Sequence, residues 1–209
     1  MHAEIEAVRD RLGRQTEDIT TLVRGLDDDT FSRRPAEGRW AVAEHLAHLC
    51  KTIPPYSQAR REAVGRARER GWAHGKGPFR GTWLGEKFKG MLEPPPKRRV
   101  KTFGAMTPPP PEKLDRDETL ARFRACQEEL TGVLASGDGL DLGRARVRSP
   151  FAPFLPFLRF AVIQSGVHMA AHTDRHLWLM REALEQMGVV DPSAPDLDEE
   201  PGSPGASPA

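Results

Sequence analysis

Residues 158–187 read LRFAVIQSGVHMAAHTDRHLWLMREALEQM, and their spacing decides the fold class. Phe160, Ile163, Val167, Met169, Leu177, Leu179, Met180 and Leu184 supply its apolar positions, with polar side chains between them. Steps of three and four residues put apolar groups on one face of a 3.6-residue period, so a helix is predicted over 158–187 with Gly188 as its stop. Three other segments carry the same pattern. Residues 3–26 place Ile5, Val8, Leu12, Ile19, Leu22, Val23 and Leu26 on one stripe, and residues 41–53 do so with Val42, His45, Leu46, Leu49 and Ile53. Beyond Asp117, Leu120, Phe123, Cys126, Leu130, Val133 and Leu134 follow suit until Gly137. With no convincing alternating strand pair, the expectation is an all-α, four-helix bundle.

Between these helices the chain is punctuated. Pro54-Pro55 is expected to end the second helix, because proline lacks the amide donor and crowds the preceding turn. Residues 56–70, dense in arginine, then resume as a solvent-facing helix. Residues 71–111 hold Pro94-Pro95-Pro96 and four prolines at 108–111, and read as a long proline-rich crossover loop containing a short helix near 82–91. Trp72, Phe79, Trp83 and Phe88 concentrate there, and such an aromatic patch outside the main helices points to a homodimer. Residues 1–190 are expected to form the bundle. Residues 191–209, rich in proline, serine, glycine and acid, are expected to be a disordered tail.

Composition narrows the function. The chain has 209 residues, 31 Lys+Arg against 30 Asp+Glu and a formal net charge of +1, so no broad positive field is available for nucleic acid or an anionic membrane. The basic run Lys97-Arg98-Arg99 is too short to change this. No apolar stretch is long enough to cross a bilayer, and the charged N-terminus lacks a signal-peptide pattern. Two cysteines make no disulfide framework. A cytoplasmic protein acting on a small-molecule substrate, with no nucleic-acid or membrane partner, is the expectation.

Five of the seven histidines fall in two groups: His45 and His48 on the second helix, and His168, His172 and His176 on the last. Residues four apart on a helix lie on one face about 6 Å apart along the axis, so an adjacent pair can present two imidazoles to one ion. His168 and His176, about 12 Å apart along the axis, cannot share it. One adjacent pair plus a histidine from the neighbouring helix would give three nitrogen ligands and leave coordination positions open. Spacing alone does not choose between the pair His168/His172 and the pair His172/His176.

The segment 35–49, PAEGRWAVAEHLAHL, followed far downstream by HTDRHL at 172–177, resembles the DinB-like superfamily of metal-binding four-helix proteins. The resemblance runs from the first helix to Gly188 and leaves out the tail. It implies a divalent metal ion held by the histidine of a Trp-x7-His-Leu motif and by both members of a His-x3-His pair, here His48, His172 and His176, with Trp40 opening the motif. Two positions depart from the family's pattern. Ala41 stands where a Ser or Thr commonly caps the helix, although Glu44 three residues on is retained. Leu179 replaces a glutamine common three residues after the last ligand, which removes a polar contact to substrate.

Glu44 and His168 are candidates for supporting positions around the ion, Glu44 as acceptor for a ring N–H of His48. His45 and His168, each a turn from a ligand, are read mainly as packed or exposed side chains, with proton transfer as the functional alternative. Cys50 is read as a small buried hydrophobe, and Arg175 as an ion-pair partner of Asp174 or Glu182 rather than a substrate ligand. Three imidazoles suit zinc, nickel or iron alike. The superfamily includes thiol-dependent S-transferases and isomerases, so the resemblance implies transfer of a low-molecular-weight thiol. Metal-dependent hydrolysis and a non-catalytic metal- or small-molecule-binding stress protein are the alternatives.

Overall fold

The computed structural model describes residues 1–73, 78–79, 81–96, 102, 104–151 and 159–194. Four long helices dominate: α1 (Ala3–Arg24), α3 (Val42–Glu69), α5 (Arg116–Ala135) and α6 (Val162–Gln186). Shorter elements join them: α2 (Asp28–Ser32), α4 (Trp83–Leu92), and strands β1 (Arg146–Arg148) and β2 (Arg159–Ala161). The fold is the all-α bundle that the periodicity predicts.

In cross-section α3 lies between α5 and α6, and α1 closes the ring on the opposite side. Contacts between helices give their directions. Arg61 reaches Glu129 and Arg68 reaches the Ser136 carbonyl, so α3 and α5 run parallel. His45 meets His176 while Arg60 meets Ser165, so α6 is antiparallel to α3. Two parallel helices consecutive in the bundle need a chain that travels back along its length, and this is why a long crossover separates α3 from α5. Ile5, Leu12, Ile19, Leu46, Leu49, Ile53, Phe123 and Leu130 are fully buried between the four helices.

Several expectations require correction. Pro54 and Pro55 lie inside α3, which continues unbroken to Glu69. The two prolines remove two helical hydrogen bonds, but both halves of α3 are buried against α5 and α6, and packing outweighs that loss. The second half is not a solvated face: Ser57, Arg60, Ala63, Val64 and Ala67 are buried, at steps of three and four residues that the arginine content conceals. A two-stranded antiparallel sheet also forms, with Val147 opposite Phe160, from strands of three residues each. Phe160 therefore sits in β2, and α6 begins at Val162. The segment between α1 and α3 holds the single-turn α2, whose cap Asp27 accepts from the Thr30 N–H at 2.7 Å and which buries Phe31.

The crossover aromatics are partly consumed by the fold. Phe88 stacks on Phe160 at 5.2 Å, Trp72 packs on the core beneath the Arg144 guanidinium, and Phe79 meets the His2 ring at 4.3 Å. Trp83, 74% exposed, faces outward from α4, and Met91 is also exposed. Asp191 and Ser193 are tied to Arg181, so the chain keeps contact with α6 past Gly188. The remaining tail residues 195–209 and the run Lys97-Arg98-Arg99 lie outside the described residues. Among the described residues no helix is long and apolar enough to cross a membrane.

Candidate metal centre

The second helix of the bundle, α3, starts at a half-complete cap. Ala41 offers no side-chain acceptor, but Glu44 reaches back to the Ala41 N–H at 2.9 Å, retaining one arm of a capping box. The Glu44 carboxylate is also held by both arms of Arg34, at 2.8 and 2.6 Å. This buried acid therefore anchors the helix start and does not serve His48. The Trp40 side chain lies over the site, its ring 5.2 Å from both His45 and His48 and stacked at 6.3 Å on His176.

Three histidines converge below Trp40. The Nε2 atoms of His48 and His172 are 3.3 Å apart, and those of His176 and His172 are 3.2 Å apart. One ring nitrogen from each of the three lies within 4.8 Å of the others. The structure thus selects His172/His176 with His48, leaving His168 one turn away. Tetrahedral nitrogen ligands about 2.0–2.1 Å from a zinc ion stand ~3.3–3.4 Å from one another, so the two close separations match an ion's ligand set.

The opposite ring nitrogens set which tautomer is available. His48 Nδ1–H donates to the Met106 carbonyl at 2.8 Å, which leaves the Nε2 lone pair facing the other imidazoles. His176 Nδ1 lies 3.0 Å from His45 Nδ1; with His176 donating, its Nε2 lone pair also faces inward. Ligand histidines held this way by a second partner are oriented and made more basic toward a metal. Burial disfavours the imidazolium throughout the cluster. It pushes His45 and His172 down to about 3, His176 well below its ordinary value, and His48 down despite the Met106 carbonyl. All are neutral at pH 7, the form that binds metal. The donor set fits a divalent ion with three protein ligands.

His168 serves a different purpose. Its Nε2–H donates to the Gly85 carbonyl at 2.8 Å, and its ring packs between Phe88 and Phe160. Together with Gln164, which accepts from the Thr82 N–H at 3.1 Å and donates to its carbonyl at 3.0 Å, it fastens α4 to α6. Cys50 is buried and free, as expected. Asp174 is held by Arg11 and Gln15, and Glu182 accepts from Arg39 at 2.8 Å. Arg175 Nη1 donates to the Met91 carbonyl at 2.9 Å. The Met106 carbonyl and the His45–His176 contact are the functional features that sequence spacing misses. A backbone acceptor carries no residue signature, and His45 differs from an ordinary core histidine only in what it faces.

The triad opens onto a cavity of about 770 Å³. Phe88, Met91, Leu92 and Met106 form one wall, Phe151 and Phe160 the far end, and Leu179 the side beside His176. Its size lies in the range of small-molecule sites, and its wall is mainly apolar. A three-histidine set facing such a space leaves coordination positions for an exogenous ligand, unlike a closed structural site.

Comparison with known proteins agrees with this geometry. No curated protein and no solved structure shows significant similarity to the chain. The sequence model of one family, described as the DinB superfamily, matches residues 11–180, from within α1 to within α6 and across all three triad histidines. A four-helix fold, a converging histidine triad and a match over most of its length establish that this chain belongs to the DinB superfamily.

Proposed function

We propose that the protein is a metal-dependent enzyme that transfers a low-molecular-weight thiol to a small electrophilic substrate. The supporting observation is the triad of neutral imidazoles opening onto a large apolar cavity. His48, His172 and His176 would hold the ion. When bound there, a divalent ion lowers the pKa of a coordinated thiol or water, which makes it nucleophilic at neutral pH without a serine or cysteine nucleophile from the protein.

The chain's own residues supply the rest. Met106 and His45 fix the ring orientations of His48 and His176. Trp40 packs over the ligand set, and Phe88, Met106 and Leu179 give the substrate an apolar wall to pack against. In the transfer, sulfur forms the new bond to the electrophilic carbon, the leaving group takes the electron pair of the bond that breaks, and the thiol proton is released.

Elemental analysis of protein purified without chelator, followed by thiol-transfer and ester-hydrolysis assays on the metal-loaded form, tests the reading. One divalent ion per chain and saturable thiol consumption are expected. His48→Ala, His172→Ala and His176→Ala should each lose most of the metal while keeping the helical spectrum, since apolar packing holds the bundle without it. Full metal content in all three variants would sink the proposal. Turnover of esters without thiol would move the assignment to hydrolysis.

A further inference from the structure

One end of the cavity is the metal triad; the other carries a polar group that the proposed chemistry does not use. Tyr56 and Ser149 line that far end, with their hydroxyl oxygens 3.0 Å apart. Arg60, fully buried on α3 and outside the cavity's lining, lies against the Tyr56 ring. Its guanidinium sits 5.6 Å from the centroid of the Tyr56 ring, and its Nε–H donates to Ser165 Oγ at 2.8 Å. A further N–H donates to the Ser165 carbonyl, while Nη1 has no hydrogen-bond partner among the described residues.

Among the described residues every partner of Arg60 is neutral. Burial draws its pKa down to about 9, so the group remains charged at pH 7. An uncompensated buried cation costs several kcal/mol and is normally matched by a carboxylate, as Arg39 is by Glu182 on the same cavity at 2.8 Å. In front of Arg60 the two hydroxyls share one hydrogen bond, which uses one of their two protons and leaves the other to donate. Burial raises the Tyr56 pKa, which keeps the phenol protonated as a donor. Ser165 cannot take that part, because its hydroxyl proton is given to the Val162 carbonyl at 2.7 Å.

We infer that this end of the cavity recognises an anionic head group, and that the ligand is an elongated, largely apolar carboxylic acid whose carboxylate meets Tyr56 and Ser149 in front of Arg60. This rests on the reading of the cavity as the substrate site and names the substrate class it takes. Tyr56 is eight residues from His48 on α3, and Ser165 seven from His172 on α6, so the two ends are about 10–12 Å apart along the helices. A carboxylate bound at the far end therefore presents the opposite end of a medium-length molecule to the triad.

Octanoate and 1-octanol are suitable probes, titrated calorimetrically into the full-length protein after chelation and again after zinc loading. Octanoate is expected to bind the metal-free protein at least about tenfold more tightly than octanol, the scale of one hydrogen bond to a charged group. Tyr56→Phe and Ser149→Ala should each erode that preference severalfold and leave octanol unchanged, and His172→Ala should keep it. Arg60→Met should abolish it, with circular dichroism reporting whether that variant folds; if it does not, the combined Tyr56→Phe, Ser149→Ala variant decides. Equal binding of the two probes, a preference that survives the combined variant, or one that vanishes in His172→Ala would each overturn the inference. Metal content, measured separately, reports on the enzymatic reading, so the two can fail independently.

Discussion

Acid should weaken the metal-free protein well before its carboxylates protonate. His45 is buried with its pKa pushed down to about 3, and His168 is buried with its pKa pushed down to about 4, in both cases chiefly because burial disfavours the charged ring. In the unfolded chain each returns to about 6.5. Between these limits the unfolded state binds more protons than the folded one, so stability is complete above pH 6.5 and falls as the pH drops toward 3–4. At pH 5 the cost is about 1.5 pH units × 1.36 kcal/mol, or ~2 kcal/mol for each group. These two alone remove about 4 kcal/mol from a folding free energy of the usual 5–15 kcal/mol, and in the metal-free protein His172, also pushed down to about 3, and His176 add to that loss. Urea denaturation of chelator-treated protein at pH 7 and pH 5, followed by helical circular dichroism, reads this directly. With a urea slope of about 2–3 kcal/mol per molar, the midpoint should fall by at least ~1.3–2 M. A midpoint that stays within about 0.3 M would refute the argument that these imidazoles are desolvated and neutral in the fold.

Other expectations concern the scaffold. Ala41→Ser restores the missing cap acceptor at the start of α3 and should stabilise the protein by about 0.5–1 kcal/mol, read as a raised melting temperature. Gly85→Ala would bring a Cβ to 2.2 Å from the Gln164 amide carbon, displacing the side chain that fastens α4. A loss of about 1–3 kcal/mol is expected, with faster hydrogen exchange across α4 than across α1. Glu44→Ala removes both the Arg34 pair and the tie to the Ala41 N–H, and should cost about 1–3 kcal/mol in a chemical denaturation series.

The sequence carried most of the scaffold because four helices each bury a stripe at helical spacing. It failed where tertiary packing overrode a local rule. At Pro54-Pro55 the local penalty was legible, but the compensation came from α5 and α6, which no window of α3 contains. Arg60 was hidden by its neighbours: Arg61, Arg66, Arg68 and Arg70 suggest a solvated face, yet 57, 60, 64 and 67 form the buried stripe. The β1–β2 pair has three residues a side, too few for alternation to show. Within the site, the pairs at four-residue spacing were legible, and the family resemblance chose among them. The Met106 carbonyl and the bond between His45 and His176 depend on how distant segments meet, which spacing does not encode.

The continuity of α3 through its prolines makes the helix a ruler. His48 near one end of the cavity and Tyr56 near the other are fixed to the same rod, so the distance between them is set by covalent geometry and helical rise. The cavity's width has no such guarantee, since α4 reaches the wall through a few side-chain tethers from α6. For the proposed ligand, a change in girth then meets side-chain tethers, whereas a change in length meets a fixed helix. For the proposed carboxylic acid, discrimination should be sharper for length than for girth.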